Sequence, residues 1–491
     1  MAASSSSSSR LVLVANAGSS SLKFKLFEAT GSASSSLRAL AGGLLDRIGD
    51  AANSTMTTTA VVSGGNRGGA SSSSSSKSTS AVPIRDHVDG MKRVLDFLGE
   101  RFPGLADHHG GSSGSGSGGT ASGGVTGSSG RLVAVGHRVV HGLDLTQACL
   151  VTPAVKAKIR EAAKLAPLHN PAGLAGIEAA EAVFGASGGN RGGSASVQQA
   201  AVFDTAYHAA SLPQREHVYP LPWELYDTSR PQVRKYGFHG TSHKFLSLEA
   251  ARMLRGDADP AAAPADDGAS SPPSLPKNLI TCHLGNGSSA AAILRGRSVA
   301  TSMGLTPLEG LMMGTRCGDL DPAVPLYLME ALGKNGRELD ALLNKKSGLL
   351  GVCGRSDVRA VLEGASQGDA RCSLALDMYC YRVRKYVGAY MAVLDGDVDA
   401  IVFSAGIGEN SPVVRAGVLG GLERLGVAID AEKNARAVGG AVIGRGVDIS
   451  APDSRVKVLV IPTDEELMIA REALEVVERG GGDGGGGRRA N

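Results

Sequence analysis

Two strand–turn–strand segments with the same kind of turn, far apart in the chain, most constrain what this sequence can fold into. The apolar run 11–15 leads into NAGSSS and then the run 22–27, and the run 279–283 leads into GNGSS and then the run 290–294. Such turns expose backbone N–H groups and hydroxyls that can cradle a phosphate. Asn-Gly turns are common in β-containing folds, but two copies predict a duplicated, two-lobed architecture.

Further short β-branched runs at 132–135, 200–203, 401–404 and 456–461 predict strands, with helical stretches between them. The clearest helix is 373–394, in which apolar residues recur at alternating spacings of four and three. This stripe predicts one buried helix face, either in the core or at a subunit interface. Strands that alternate with helices predict an α/β protein.

Composition excludes several function classes. The 50 basic and 47 acidic residues among 491 leave a formal charge of +3, which gives no footprint for nucleic acid. No run of about 18 apolar residues occurs, so no membrane partner is expected. The six cysteines form no CxxC pair and are expected to be reduced thiols. We therefore expect a soluble, intracellular, cytoplasmic protein, or one of a mitochondrion or plastid if the source is a eukaryote.

Segments rich in Gly and Ser interrupt this pattern and are expected to be flexible loops, because they bury too little apolar surface to offset the entropy of ordering. They are the runs 71–80, 110–130, the stretch that begins at 185, the run 257–276, and the tail from 480.

Two arginines lie in glycine-flanked or apolar segments. Arg138 follows the predicted strand 132–135, and Arg316 lies in MMGTRCGD. The planar guanidinium grips a carboxylate or a phosphate at two points. One such arginine is commonly a surface charge or half of a local ion pair, but two of them favour anion binding.

Asp204 directly follows the predicted strand 200–203. A carboxylate at the carboxyl end of a strand points into the ligand crevice of an α/β sheet, although aspartate also caps helices. The segment FSAGIGENS, 403–411, brings Gly406 and Gly408 to the end of another strand, where backbone could approach a nucleotide. A plain strand-to-helix turn is the alternative interpretation.

The segment IPTDEEL carries two neighbouring glutamates. Thr463 and Glu466 have the spacing of a capping box, which leaves Glu465 to offer oxygen ligands to Mg²⁺. His239 and His243 have the spacing of a helical metal pair, but neighbouring glycines and the lack of HExxH disfavour zinc.

Nine segments together resemble the acetate kinase family and occur in that family's order. They are NAGSSSLK (16–23), HRVVHG (137–142), APLHNP (166–171), VFDTAYH (202–208), YGFHGTSH (236–243), HLGNGSS (283–289), TSMGLTPLEGLMMGTRCGD (301–319), AGIGENS (405–411) and IPTDEEL (461–467). The resemblance spans about 11–472. It implies the fold of the acetate and sugar kinase, Hsp70 and actin superfamily: an α/β, actin-like ATPase with a duplicated core and an interlobe cleft. It also implies a homodimer.

The resemblance also implies how the chain is divided. We expect a disordered Ser-rich extension at 1–10, an N-terminal lobe at 11–204 completed by 465–479, a C-terminal nucleotide-binding and dimerisation lobe at 205–464, and a disordered Gly-rich tail at 480–491.

Functional residues follow from the matching motif positions. The catalytic positions are Asp204, His239 and Arg316, the acetate-binding position is Arg138, and the Mg²⁺ positions, with Mn²⁺ as an alternative ion, are Asn16 and Glu465. The ATP-binding positions are Lys23, His283, Leu284, Gly285, Asn286, Gly287, Asp357, Val358, Arg359, Gly406, Ile407, Gly408, Glu409 and Asn410.

The implied reaction is reversible, Mg²⁺-dependent in-line transfer of a phosphoryl group from ATP to acetate, giving acetyl phosphate and ADP. One alternative is a propionate or butyrate kinase of the same family. Another is an ATP-switched binding protein like Hsp70 or actin, but Arg138 and Arg316 argue against it because a switch needs no acceptor clamp.

Four positions depart from the family pattern. Leu143 stands where a second glycine is usual, Cys317 where serine is usual, Ala300 where aspartate is usual, and Asp464 where asparagine is usual. Leu143 and Ala300 are expected to alter the shape of the cleft. None of the four is assigned to the chemistry, so activity is expected.

Overall fold

The structure is a computed structural model that describes residues 9–29, 37–62, 74–102, 105, 130–167, 169–185, 197–255, 277–442 and 446–481. Residues 1–8 of the predicted extension 1–10 and most of the Gly/Ser-rich inserts lie outside these residues, as does the tail beyond 481, whereas Arg10 is the first residue of a strand. Contacts divide the chain into two compact units, one formed by Met1–Phe203 with Glu466–Asn491 and the other by Asp204–Glu465.

The first unit is built on an eight-stranded mixed sheet with the order β5-β4-β3-β2-β1-β6-β8-β7. Strand β1 is antiparallel to β2 and parallel to β6, and β6 is parallel to β8. The strands are β1 (Arg10–Gly18), β2 (Ser21–Ala29), β3 (Leu37–Asp46), β4 (Thr55–Val62), β5 (Ser74–Ala81), β6 (Arg131–Val139), β7 (Cys149–Leu150) and β8 (Gln198–Phe203).

Helices cover both faces of this sheet, so its central strands are apolar on both sides. Leu11 and Leu13 of β1 lie in one buried cluster, whereas Val12 and Val14 lie in another, which also contains Ile469. The alternation follows from the two-residue period of a strand. The helices are α1 (His87–Gly99), α2 (Pro153–Ala162), α3 (Asn170–Phe184) and, from the end of the chain, α16 (Glu465–Gly481).

The second unit repeats this topology in a six-stranded sheet with the order β11-β10-β9-β12-β14-β13. Both sheets contain three successive antiparallel strands, then two strands parallel to the first of them, and then a short antiparallel edge strand. The predicted duplication of an α/β core is therefore confirmed. The strands are β9 (Leu279–Leu284), β10 (Ser288–Leu294), β11 (Arg297–Thr301), β12 (Ala400–Ser404), β13 (Val447–Asp448) and β14 (Lys457–Val460).

The core of the second unit forms where α12 packs against its sheet. Asp369 caps this helix by accepting from the N–H groups of Arg371 and Cys372. The predicted apolar face is confirmed, since Val383 and Val387 are fully buried in the largest apolar cluster. The helices are α4 (Ala206–Ala209), α5 (Gln214–His217), α6 (Trp223–Asp227), α7 (Gly240–Arg255), α8 (Ala323–Leu332), α9 (Gly336–Lys345), α10 (Gly348–Cys353), α11 (Val358–Ser366), α12 (Ala370–Val393), α13 (Ala405–Asn410), α14 (Pro412–Leu419) and α15 (Ala431–Arg436).

Two local predictions are wrong. The first hairpin turn is shorter than expected: Asn16 pairs with Lys23 and Gly18 with Ser21 within the ladder, so only two residues form the turn. The serine-rich segment 74–80, expected to be a loop, forms most of β5 and pairs with β4. Backbone groups alone form a ladder, so exposed polar side chains do not prevent an edge strand.

All six cysteines are free thiols, as expected. Among the described residues no helix is long and apolar enough to cross a membrane.

Candidate active site

The first unit carries a cavity of about 860 Å³ at the carboxyl ends of β1 and β6. Ala15 and His137 are paired across these parallel strands, so the residues that follow them, Asn16 and Arg138, lie at the same edge. Both line the cavity, together with Lys23 and His169. The structure thus brings together three predicted site residues and adds an imidazole from the APLHNP motif.

Lys23 is held by a buried acid. Its Nζ lies 2.5 Å from Oε1 of Glu466, whose side chain is only 9 % exposed. The predicted capping box is therefore wrong: α16 begins at Glu465, and the N–H of Thr463 donates to Glu409 rather than to Glu466. Glu466 instead pairs with the ammonium group of Lys23, which lines the cavity.

The two histidines of HRVVHG are structural. His137 Nε2 lies 2.9 Å from Gln199 Oε1, and His141 is held between Asn170 and its own loop. Burial lowers the pKa of both imidazoles to about 4, so they are neutral at pH 7. They fix β6 and the loop after it, and thereby the position of Arg138 between them.

In the second unit the turn between β9 and β10 is closed by a hydrogen bond from the N–H of Gly285 to the carbonyl of Gly287, 3.1 Å long. The loop that carries Arg316 packs on this turn, because the N–H of Gly314 donates to the Asn286 carbonyl at 3.1 Å. A Cβ at Gly314 would lie 2.1 Å from the Asn286 side chain. Glycine is required there for close approach.

His239 and Arg316 converge on this turn. A Cβ at Gly287 would lie 3.4 Å from Arg316 Nη1 and 3.8 Å from His239 Nε2. Arg316 Nη1 donates to the Pro307 carbonyl at 3.1 Å, and burial lowers the pKa of its guanidinium. His239 has a positive φ of 56° and stacks on His283 with 4.2 Å between ring centroids. A guanidinium nitrogen and an imidazole nitrogen therefore flank one glycine turn.

Asp204 is 1 % exposed and lies just before α4. Its Oδ1 accepts from the Thr241 hydroxyl at 3.2 Å, and its carbonyl accepts from the N–H of Gly240 at 2.8 Å. These bonds tie Asp204 to the start of α7, directly after His239. The alternative that Asp204 caps the following helix is not what the structure shows, since Thr205 is the N-cap of α4.

The predicted nucleotide segments reach the same turn from two sides. The Ser356 carbonyl, next to Asp357, would lie 2.9 Å from a Cβ at Gly314. The Ala405 methyl would lie 3.8 Å from a Cβ at Gly285. The start of α13 therefore lies beside the 285–287 turn, and the residue before α11 lies beside Gly314, which packs on that turn.

Several side chains at the predicted ATP-binding positions are either buried in the core or paired with one another. Leu284 and Val358 belong to the apolar core. Asp357 caps α11 and pairs with Arg359 at 2.5 Å, and these hydrogen bonds lower the pKa of its carboxyl. The side chains of Leu284 and Val358 are therefore not available to a ligand.

Glu409 and Asn410 are also occupied. The Glu409 carboxylate accepts from the N–H of Thr463 at 3.2 Å, and burial raises its pKa. Asn410 donates to the Gly406 carbonyl at 3.0 Å and accepts from the N–H of Gly439 at 3.1 Å. Their side chains shape the α13 segment, in which Gly406 is exposed and Gly408 is buried.

Sequence reasoning missed Arg415, which is fully buried beneath this segment. Its guanidinium donates five hydrogen bonds, two of them to the carbonyls of Gly408 and Glu409 at 2.8 and 3.1 Å. Burial lowers its pKa to about 10, so it stays charged at pH 7. An arginine three residues into a helix carries no sequence signal for such a role.

The predicted metal residues lie in different units, Asn16 in the first and Glu465 at the end of the second. Within the described ranges no group of three or more His, Cys, Asp or Glu side chains is arranged to hold a metal ion.

Comparison with known proteins gives a consistent result. The acetokinase family model matches residues 121–471. The acetate kinase of Clostridium botulinum strain Langeland is 42 % identical over 95 % of this chain and 100 % of its own. The acetate kinase of Methanosarcina thermophila is 42 % identical over 95 % of this chain and 97 % of its own.

Solved structures agree. A propionate kinase from Francisella tularensis superposes with a TM-score of 0.74 at 34 % identity, and an acetate kinase from Porphyromonas gingivalis with a TM-score of 0.71 at 35 % identity. Each comparison covers 95 % of this chain and 100 % of the other. The fold and these similarities define an ATP-using phosphotransferase. The chain belongs to the acetokinase family.

Proposed function

We propose that this enzyme transfers the γ-phosphoryl group of ATP to acetate in a direct, in-line and reversible step that depends on Mg²⁺. The observation that carries the proposal is the convergence of Arg316 and His239 on Gly287. Phosphoryl transfer is catalysed mainly by positioning and by neutralising charge on the transferred group. A guanidinium and an imidazole beside a glycine turn supply that charge complementarity.

ATP would bind the second unit, with its phosphates on the 285–287 turn and its nucleoside between the starts of α11 and α13. Lys23 of the first unit would contact the phosphates. This assignment rests on the packing of those segments around one turn. Gly406 is exposed, and a Cβ there would meet nothing within 4 Å, so a ligand can approach its backbone closely.

Acetate would bind in the cavity of the first unit. Arg138 would hold its carboxylate, and the apolar side chains of Val140 and Ala172 in the same lining would contact the methyl group. A carboxylate is already a competent nucleophile near neutral pH, so no general base is needed. Asp204 would orient the attacking carboxylate rather than remove a proton.

The donor chemistry of Asn16 and Glu465 fits Mg²⁺, which takes oxygen ligands and keeps several waters. An amide oxygen and one carboxylate are sufficient when substrate phosphates complete the coordination, and Mn²⁺ accepts the same donors. When bound, the ion would neutralise negative charge on the phosphate oxygens. The catalytic contribution of the chain's own residues is the alignment described above.

A propionate kinase is the second candidate, favoured by the 34 % identical Francisella tularensis structure of that name. One methylene changes binding by only about 1–3 kcal/mol, so the two activities are expected to overlap. Hydroxylamine trapping of acyl phosphate with acetate, propionate and butyrate separates them. The largest kcat/KM with acetate is expected; a larger value with propionate would replace the first candidate, and no acyl phosphate from any acid would reject both.

The homodimer also belongs to this proposal. Helix α8 is apolar, yet it has no buried residue, and Leu326 and Tyr327 are 67 % and 69 % exposed. Leu374, Met378 and Tyr381 form a further exposed apolar stripe on α12. Exposed apolar surface of this kind is typical of subunit interfaces. A second copy of the chain is the occupant that the family resemblance implies.

A further inference from the structure

Four side chains of the second unit form a continuous hydrogen-bonded chain that ends at His239. Thr281 Oγ1 lies 2.7 Å from His243 Nδ1, and Ser289 Oγ lies 2.8 Å from His243 Nε2. The same Ser289 oxygen lies 2.9 Å from His239 Nδ1. Thr281, His243 and Ser289 are all fully buried. No step of the proposed mechanism uses any of these three residues.

The chain can carry its protons in only two arrangements. His243 packs against the rings of His208 and His283, at 5.4 and 6.5 Å between centroids, and burial lowers its pKa well below 6.5, so it is neutral. A neutral imidazole has one donor and one acceptor nitrogen. Ser289 has a single proton, so it donates either to His239 Nδ1 or to His243 Nε2.

The site at the other end of the chain favours one arrangement. His239 Nε2 faces Gly287 and Arg316, where an anionic phosphoryl group would lie under the proposed function. Phosphoryl oxygens accept hydrogen bonds and do not donate them. If Nδ1 carried the only proton, a lone pair on Nε2 would face the anion and repel it.

We infer that Ser289 and His243 are positioning residues that hold His239 with its proton on Nε2. Thr281 donates to His243 Nδ1, His243 donates from Nε2 to Ser289, and Ser289 donates to His239 Nδ1. His239 is then a neutral donor beside the Arg316 cation, and no second charge has to be buried there. The inference rests on the proposed function only for the identity of the group that Nε2 contacts.

The kinetic experiment is a double-mutant cycle between Ser289→Ala and His239→Gln. Ser289→Ala is expected to lower kcat by about tenfold or more, with little change in the KM for ATP. This loss is smaller than the loss of about 10²–10³ in kcat that removal of a hydrogen-bond donor to the transition state causes. Ser289→Thr, which keeps the hydroxyl, is expected to restore most of kcat. In the His239→Gln background Ser289→Ala is expected to have no further effect, because no imidazole remains to be oriented.

A matched control is Ser298→Ala. Ser298 is equally buried, and its hydroxyl lies 2.7 Å from His208 Nδ1. The substitution therefore removes a comparable Ser–His hydrogen bond that is not part of the Thr281–His243–Ser289–His239 series. The inference would be overturned if the two decreases in kcat multiplied fully in the Ser289→Ala/His239→Gln double variant. It would also be overturned if Ser298→Ala lowered kcat as much as Ser289→Ala.

A readout that does not need activity is the ¹⁵N spectrum of the histidine-labelled protein, with the His239 signals assigned by His239→Gln. In the wild type we expect His239 to carry its proton on Nε2. In Ser289→Ala we expect a mixture of the Nε2-protonated and Nδ1-protonated tautomers. A proton on Nδ1 in the wild type would overturn the inference. Failure of the wild type to form acetyl phosphate would instead reject the proposed function, and the spectrum would still decide the tautomer.

Discussion

Three non-glycine residues with positive φ lie at the segments discussed above: Leu143 at 55°, His239 at 56° and Ala405 at 62°. The left-handed region costs an L-residue about 1–2 kcal/mol. His239 and Ala405 border the 285–287 turn, where strained backbone is commonly retained because it aims a functional group. The strain at these residues therefore agrees with a ligand site at the turn.

Leu143 explains a departure from the family pattern. The family's usual glycine suits a left-handed position, whereas leucine is strained there. The Leu143 side chain is 8 % exposed, and burying a leucine contributes about 1.5–3 kcal/mol. Burial offsets the strain, so the backbone conformation survives the substitution.

Arg316→Ala is expected to lower kcat by about 10³-fold or more, with a modest change in the KM for ATP, because the guanidinium would neutralise charge that develops in the transition state. Steady-state kinetics with both substrates measures this. Arg337→Ala, at an exposed arginine of α9, is the control. Near-normal turnover of Arg316→Ala would remove Arg316 from the chemistry.

Glu465→Ala is expected to raise the Mg²⁺ concentration needed for half-maximal activity several-fold, because one of two protein oxygen donors is lost. A Mg²⁺ titration at saturating ATP and acetate measures the shift. Glu432→Ala, at an exposed position of the same unit, should leave the titration unchanged. An unaltered Mg²⁺ requirement in Glu465→Ala would exclude it from the metal site.

At the scale of elements, the six-residue helix α13 is too short to be stable by itself. It is held by hydrogen bonds from the buried Arg415 guanidinium to its backbone carbonyls, and by side-chain hydrogen bonds of Glu409 and Asn410. Within the described part of the chain, the Arg415 guanidinium donates only to backbone carbonyls and to the Asn434 amide oxygen, so its charge is stabilised by oriented dipoles and not by a carboxylate. The position of this proposed nucleotide-binding segment thus depends in part on Arg415, a residue that is not among the predicted ligand contacts.

Arg415→Lys is expected to raise the KM for ATP several-fold and to lower stability by about 2–4 kcal/mol, because one ammonium cannot satisfy all the carbonyls that the guanidinium reaches. Kinetics and thermal unfolding measure the two effects, with Arg424→Lys, an exposed arginine, as control. A destabilised variant with an unchanged KM for ATP would show that Arg415 has no part in shaping the site.

At the scale of the whole molecule, two units with one strand topology carry complementary chemistry. The first has a cavity with Arg138, and the second has a glycine turn with Arg316 and His239. The exposed apolar residues of α8 lie in the second unit. We therefore expect the chain to associate through its second unit.

The wild type is expected to sediment as a dimer and the double variant Leu326→Glu/Tyr327→Glu as a monomer, because two charges on each copy would be buried without partners at the proposed interface. Sedimentation velocity measures the difference. Leu425→Glu, at another exposed leucine of the same unit, should remain dimeric. A dimer in the double variant would move the interface away from α8.

How much the sequence predicts depends on where the partners of each residue lie. The central strands and α12 follow from local apolar patterns, so the duplicated α/β core could be predicted. The motif positions also identified Arg316 and His239, which the structure brings to one turn. The serine-rich strand β5 could not be predicted, because its stability comes from the ladder with β4 and not from its own side chains.

The sequence by itself determined the family, the order of the strands along the chain and the residue types that carry the chemistry, because these depend on local pattern and on motifs. Tertiary structure alone decided that Glu466 pairs with Lys23, that Arg415 supports α13, and that Ser289 lies between His243 and His239. Each of these contacts joins different elements of the fold. Hydrogen bonds between such distant residues depend on packed geometry, which no local pattern records.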